Sequence, residues 1–245
     1  MSISVTTQQP APDELAELNQ SLEGQAPAKI LEIALEQHAP RIVLACSFGA
    51  EDVVLLDMML RINPRSMLFY LDTDFLFPET YDVRDRIIEH YQLQDEQMIQ
   101  MKSKLSPEEQ AAHHGEGLWL RSPDQCCQLR KIEPLTRVLK NYAAWITGIR
   151  RDQSPTRAHA GLVEWDDKFG LVKFNPLATW SEEQVWEYIR SQNVPYNTLH
   201  DQHFPSIGCT HCTSPVMPGD DPRSGRWSSS TKTECGLHQE VKSEE

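Results

Sequence analysis

Short apolar runs alternate along the chain with longer stretches in which apolar positions recur every three or four residues. Leu15, Leu18 and Leu22 follow helical spacing after Pro12-Asp13, and Ile30, Leu31, Ala34 and Leu35 repeat it across 28–38, with Pro40 as the stop. RIVLAC (41–46) is a continuous apolar, β-branched run, the signature of a strand buried on both faces of a parallel sheet. An apolar helix follows through Leu60, then a strand at 66–71, a helix opened by Pro78 and running to Tyr91, and a weak strand at 97–101. A helix over 127–141 leads to a strand at 145–148. Two short strands are expected near 162–164 and 171–173, then a helix capped by Ser181 through Ile189. Strands alternating with helices imply an α/β fold with a doubly wound, mostly parallel sheet, whose ligands bind beyond the strand C-termini. The loops 47–52, 72–79 and 148–157 all fall there.

Residues 1–12 are polar with two prolines and are expected to be disordered, and 13–212 form the folded domain. From Thr213 the chain is rich in Ser, Pro, Gly and charge without apolar periodicity, and 213–245 reads as a mobile C-terminal arm. The apolar run through 53–60 is too short to span a bilayer and is broken by Asp57, so no membrane role is expected. The N-terminus lacks a charged segment followed by an apolar one, so the expected location is cytoplasmic.

The net charge of −13 argues against a nucleic-acid partner. It also makes the cationic islands at Arg130-Lys131, Arg150-Arg151, Arg157 and Arg223/Arg226 candidate anion sites. The three arginines of GIRRDQSPTR (148–157) beside a strand end suit bidentate contacts to phosphate or sulfate oxygens. In the loop after the first strand, Ser47, Gly49 and Asp52 follow an S-x-G-x-x-D spacing. A glycine there lets a ligand approach the backbone, and the next helix offers free N–H groups to a phosphate.

Four of the six cysteines fall in two clusters, Cys126-Cys127 and Cys209-Thr210-His211-Cys212. In a reducing compartment clustered cysteines point to metal ligands or catalytic groups rather than disulfides. Adjacent side chains diverge, which strains a mononuclear zinc site but suits an iron–sulfur cube, where each thiolate takes a different iron. A [4Fe–4S] cluster on Cys126, Cys127, Cys209 and Cys212 is therefore the favoured reading, with zinc as the other. Cys46 closes an apolar strand and reads as an inert buried residue. Cys235, in TECGLH (233–238), reads on its own as a spare surface thiol, although a mobile thiol among cations is what a nucleophile needs.

Taken together, SFGAED (47–52), LDT…PETY (71–81), CCxxRKIEPL (126–135), GIRRDQSPTR, KFNPL (173–177), IGCTHC (207–212) and the terminal ECGLH resemble the assimilatory sulfonucleotide reductases. The likeness is to the iron–sulfur type acting on adenosine 5′-phosphosulfate (APS). It implies a fold like that of the PP-loop ATP pyrophosphatases and a cluster on the four paired cysteines. It implies Cys235 as nucleophile, with Lys131, Arg223 and Arg226 around the sulfate. Ser47, Gly49, Asp52, Leu71, Thr73, Arg150 and Arg157 then belong to the nucleotide-binding loops. The implied reaction gives sulfite and AMP through an enzyme S-sulfocysteine, with thioredoxin or a glutaredoxin-like dithiol as reductant. A homo-oligomer is compatible with the resemblance. Asp74 stands where the family commonly has glycine. Phe77 stands where APS-type enzymes can have histidine and the 3′-phosphorylated-substrate (PAPS) type phenylalanine. The alternatives are therefore a PAPS or dual-substrate reductase, a PP-loop ATP pyrophosphatase, and an iron–sulfur electron carrier.

Overall fold

The computed structural model describes residues 9–228, 232 and 234–237. Helices α1 (Pro12–Leu22) and α2 (Pro27–His38) each begin at a proline, whose missing N–H is no loss in a first turn. Of the N-terminal segment expected to be disordered, 1–8 lie outside the described residues, 9–11 are irregular and Pro12 already belongs to α1. Strands β1 (Ile42–Ala45), β2 (Leu68–Asp72), β3 (Met98–Lys102) and β4 (Ala144–Ile146) follow, with α3 (Ala50–Ile62) and α4 (Pro78–Tyr91) as crossovers. The chain then adds β5 (Val163–Asp166), β6 (Leu171–Phe174) and α9 (Glu182–Gln192).

The six strands lie in the order β3-β2-β1-β4-β6-β5, all parallel except β5, which runs antiparallel to β6. Side-chain alternation gives the sheet two apolar faces. Ile42, Leu44, Leu68, Tyr70, Ala144 and Ile146 join one core with α2, α3 and α9. Val43, Phe69 and Trp145 point the other way, onto Leu135, Val138 and Leu139. Each buried Leu, Val or Ile of these cores contributes roughly 1.5–3 kcal/mol, and α3 alone buries eight residues from Val53 through Leu60.

Strand order reverses between β1 and β4, which opens a crevice at their C-terminal ends. The loops after the two strands meet there. A Cβ on Gly148 would sit 2.4 Å from Asp52 Oδ1 and 2.8 Å from Glu51 Cβ, so the approach of the two loops needs a glycine at 148.

The structure revises three expectations. The helix expected over 127–141 is broken into α7 (Pro123–Cys127), a π-helical turn (Gln128–Ile132) and α8 (Glu133–Leu139). Pro134 has no N–H to donate back to Arg130, and a widened turn absorbs the lost bond. Two helices were not foreseen, α5 (Pro107–His114) and α6 (Leu118–Arg121). The first is capped reciprocally, with Glu109 N–H donating to Ser106 Oγ at 3.1 Å and Ser106 N–H to Glu109 Oε2 at 2.8 Å. Finally, the described residues from 213 onward, read as a mobile arm, make contacts with the body. Val216 N–H donates to His203 O at 2.8 Å and Trp227 N–H to Cys212 O at 3.1 Å, and Trp227 is buried.

Candidate functional site

The crevice continues into one cavity of about 270 Å³. Ser47, Gly49, Asp52, Leu71, Thr73, Lys131, Arg150, Arg157, Arg223, Arg226 and Cys235 all line it, so the residues singled out in the sequence as substrate-binding or nucleophilic share one space. Five separate segments supply them: the β1–α3 loop, the end of β2, the π-helical turn, the β4 loop and the C-terminal segment.

At the β1–α3 loop, Ser47 donates both its N–H and its hydroxyl to Asp52 Oδ2, each at 2.6 Å. Phe48 takes a left-handed backbone at φ 62°, which turns the strand into the first turn of α3. Burial raises the Asp52 carboxyl from its usual 3.8 to about 6, against the two Ser47 bonds that favour the ion. The folded chain therefore holds the Asp52 proton up to about pH 6, while the unfolded chain releases it near 3.8. That stability is fully present below 3.8 and is lost as pH rises through 6. Denaturant unfolding of wild type and Asp52→Asn at pH 4 and pH 7 should show the wild type losing on the order of 2 kcal/mol relative to the variant across this window. A difference independent of pH would contradict the assignment.

The arginines divide by role. Arg150 is buried and its Nε donates to Glu51 at 2.9 Å, with a second ion pair to Asp152, so it braces the two loops while lining the cavity. Arg151 is a correction to the sequence reading. It turns away from the cavity to pair with Glu23 at 2.7 Å and to donate to Ala160 O at 2.9 Å. Arg157 and Arg223 face the cavity and both hold the carboxylate of Glu234, at 3.0 Å each. The Arg226 guanidinium donates to Ser206 Oγ at 3.1 Å and lies 4.6 Å from the Trp227 ring centroid.

A second, smaller pocket adjoins the first and shares Lys131 and Trp227 with it. Cys126, Cys127, Cys209 and Cys212 all line it, brought from the α7 turn and the loop after α9. Phe75, Trp119 and His211 form its outer wall, the last two stacked at 3.9 Å between centroids. Thr73, expected on the nucleotide, places its hydroxyl 3.2 Å from Cys209 Sγ and so ties the end of β2 to this pocket.

Burial and the neighbouring thiols push Cys126 up to about 12 and Cys212 up to about 11. Four thiolates would repel one another here unless a positive group sat between them. Among the described residues no three His, Cys, Asp or Glu side chains close around a single metal ion. The four cysteines line one small pocket, and among the described residues two buried donors of its lining residues, Trp227 Nε1 and one Arg130 Nη, have no hydrogen-bond partner. The chemistry of this lining, four thiols and two unpartnered donors, suits a group bound through thiolates and presenting acceptor atoms.

Lys131 stands between the two spaces. Burial works against its cation, but the sulfurs of Cys209, Cys235 and Cys127 outweigh that and raise its pKa. The π-helical turn next to Pro134 carries this lysine and the buried Arg130, a common place for such a turn. Asp74 adopts φ 59°, which explains why glycine suits the position. Here the aspartate side chain accepts from Arg130 at 2.9 Å and Lys102 at 2.6 Å. Phe77 packs edge-on against Phe204, whereas its neighbour Leu76 lines the cavity.

Sequence reading missed Trp227 and Glu234. The only signal for Trp227 was a lone aromatic in a polar stretch, and Glu234 had none beyond its place before Cys235. Thr233 and His238, read with Cys235 as one motif, lie outside the described residues.

Residues 41–215 match the family described as the phosphoadenosine phosphosulfate reductase domain. The chain belongs to that family. An adenosine 5′-phosphosulfate reductase of Shouchella clausii is 50% identical over 92% of this chain and 92% of its own. A phosphoadenosine 5′-phosphosulfate reductase of Gloeobacter violaceus is 50% identical over 91% of this chain and 93% of its own. Among solved structures, the phosphoadenylyl-sulfate reductase of Candida auris, in a phosphate complex, superposes with a TM-score of 0.75 at 31% identity, covering 86% of this chain and all of its own. The FMN adenylyltransferase of Candida glabrata matches at TM-score 0.57 and 16% identity over 89% of this chain and 72% of its own, a likeness of fold alone. The mostly parallel sheet of this family is thus a fold that it shares with that adenylyltransferase.

Proposed function

We propose that this reductase converts APS to sulfite and AMP, using Cys235 as nucleophile and an external dithiol of the thioredoxin type as reductant. The observation that carries the reading is that Cys235 shares one cavity with the Ser47–Asp52 loop, Lys131, Arg157, Arg223 and Arg226. A helix N-terminus beside that loop suits the nucleotide phosphate, and the cations suit the sulfate oxygens.

The Cys235 thiolate attacks the sulfate sulfur. The new S–S bond forms as the S–O bond to the phosphate breaks, and AMP leaves with that electron pair. A dithiol thiolate then attacks Cys235 Sγ, expelling sulfite, and its second thiol resolves the mixed disulfide and returns Cys235 as a thiol. Both electrons come from the dithiol. The obstacle is that two anions must meet. Lys131 and the arginines offset it by neutralising the sulfonyl oxygens where charge accumulates.

Cys126, Cys127, Cys209 and Cys212 would hold a [4Fe–4S] cluster, with Thr73, Trp227 and Arg130 as supporting donors. When bound, it supplies fixed charge beside Lys131 rather than electrons. Among the described residues no helix is long and apolar enough to cross a membrane, which is in keeping with a cytoplasmic enzyme.

A PAPS or dual-substrate activity is the second reading, favoured by the Gloeobacter violaceus relative's name and by Phe77. Anaerobically purified protein assayed with thioredoxin should release sulfite from APS. Sulfite from PAPS alone would overturn the substrate assignment.

A further inference from the structure

Arg130 lines the thiol pocket and is only 1% exposed, a rare degree of burial for a guanidinium. Such a group carries five N–H donors in a rigid plane. Its Nε donates to Gln110 Oε1 at 2.7 Å, and one Nη donates to Thr73 O at 3.2 Å and to Asp74 Oδ2 at 2.9 Å. The Phe75 ring packs against it, with its centroid 4.7 Å from the guanidinium carbon. The second Nη is buried and has no hydrogen-bond partner among the described residues. A buried donor calls for an acceptor, and Cys126, Cys127, Cys209 and Cys212 line the same pocket. The two side chains that grip Arg130 come from different parts of the chain. Gln110 is itself 2% exposed and sits on α5. Asp74 holds a left-handed backbone at φ 59°, which glycine adopts readily. Its N–H closes the turn on Asp72 Oδ1 at 3.0 Å, a bond that glycine would also make. What aspartate adds is a carboxylate, shared between Arg130 and Lys102.

We propose that Asp74 and Gln110 are positioning residues, which clamp Arg130 at two of its nitrogens so that the remaining Nη donates to the group bound by the four cysteines. The proposal deepens the reductase reading and rests on it for the identity of that group, an iron–sulfur cluster. A guanidinium keeps its charge in any protein setting, so the surrounding residues act on its placement and its pairing. Anchors on both Nε and Nη fix the plane of the group as well as its position, whereas one anchor would leave it free to pivot. Asp74 also pairs the cation, since a buried charge without a partner is strongly destabilising. Partners that orient the ligands of a bound metal typically change its retention by about 10–100-fold when removed.

Anaerobic transfer of iron to a ferrous chelator, followed as loss of the visible absorption of the holoprotein, tests this. Asp74→Gly keeps the left-handed turn and removes the carboxylate, and should release iron about ten-fold faster than wild type. Lys102→Met removes the other ion pair of Asp74 and leaves Arg130 held, so it should release iron at the wild-type rate. Adding Gln110→Glu to Asp74→Gly returns a carboxylate to the same guanidinium and should restore most of the retention, which a merely structural role of Asp74 would not allow. If Asp74→Gly assembles no centre, Asp74→Asn, which keeps an acceptor but not the charge, should still release iron faster than wild type. Wild-type retention in the Asp74 variants, equally fast release from Lys102→Met, no rescue by Gln110→Glu, or a wild type isolated without iron would each overturn the proposal. Equal retention throughout with sulfite still formed from APS would leave the reductase reading standing. The predicted order of retention with no sulfite from either sulfonucleotide would overturn that reading and leave the clamp in place.

Discussion

Cys235→Ser should abolish sulfite formation, by at least about 10³-fold, while AMP binds as before. A serine hydroxyl at the same place is a far weaker nucleophile, and its sulfate ester could not be cleaved by a dithiol. Binding should survive because Cys235 makes up one edge of a cavity whose anion-holding groups lie elsewhere, on Lys131, Arg157, Arg223 and Arg226. Steady-state sulfite assays with AMP calorimetry on the same preparation check both halves. Residual activity within ten-fold of wild type would place the chemistry on another group.

The second large effect is expected at the thiol pocket. Cys209→Ala should remove the visible absorption of an iron–sulfur centre and reduce iron from about four atoms per chain to a small fraction. Cys209 is the member whose sulfur contacts the Thr73 hydroxyl just past β2, and it sits on the loop that meets the segment after β2 through Phe75 and Leu76. Losing the bound group would leave three thiols, the buried Cys126 and Cys127 and the half-buried Cys212, beside the unpartnered donors of Trp227 and Arg130. Thermal unfolding of the variant should therefore fall to that of iron-stripped wild type, and sulfite formation should be lost. An iron-free protein with the stability and rate of wild type would remove the cluster from the account.

The centre of the sheet was legible in the sequence because β1, β2 and β4 are buried on both faces. RIVLAC is apolar at every position that β1 buries, and the 66–71 run supplies Leu68, Phe69 and Tyr70, which β2 buries together with Asp72 beyond the run. The crevice was legible for the same reason, since strand ends locate it. The break in the helix after Cys127 was harder to see, because Pro134 is tolerated at the start of a helix as readily as it disrupts the middle of one. Orientation of side chains in the 148–157 loop was not legible. Arg150 and Arg151 are neighbours of the same type, and only the positions of Glu51 and Glu23 decide that one faces the cavity and the other leaves it. The packing of the C-terminal segment escaped for a related reason. Its anchors are single residues, Thr213, Trp227 and Leu237, which have no period to read. Spacing alone marked the four thiols as a set, whereas Thr73 and Trp227 beside them became visible only through contact.

The central claim is that Cys235 itself captures the oxidised sulfur. Incubating the holoenzyme with APS in the absence of any dithiol, then taking the intact and peptide masses, tests it directly. The account predicts that one sulfo group appears on the Cys235 peptide with one equivalent of AMP released, and that added thioredoxin removes it as sulfite. AMP release with an unmodified Cys235 peptide, or the sulfo group on any other cysteine, would contradict it.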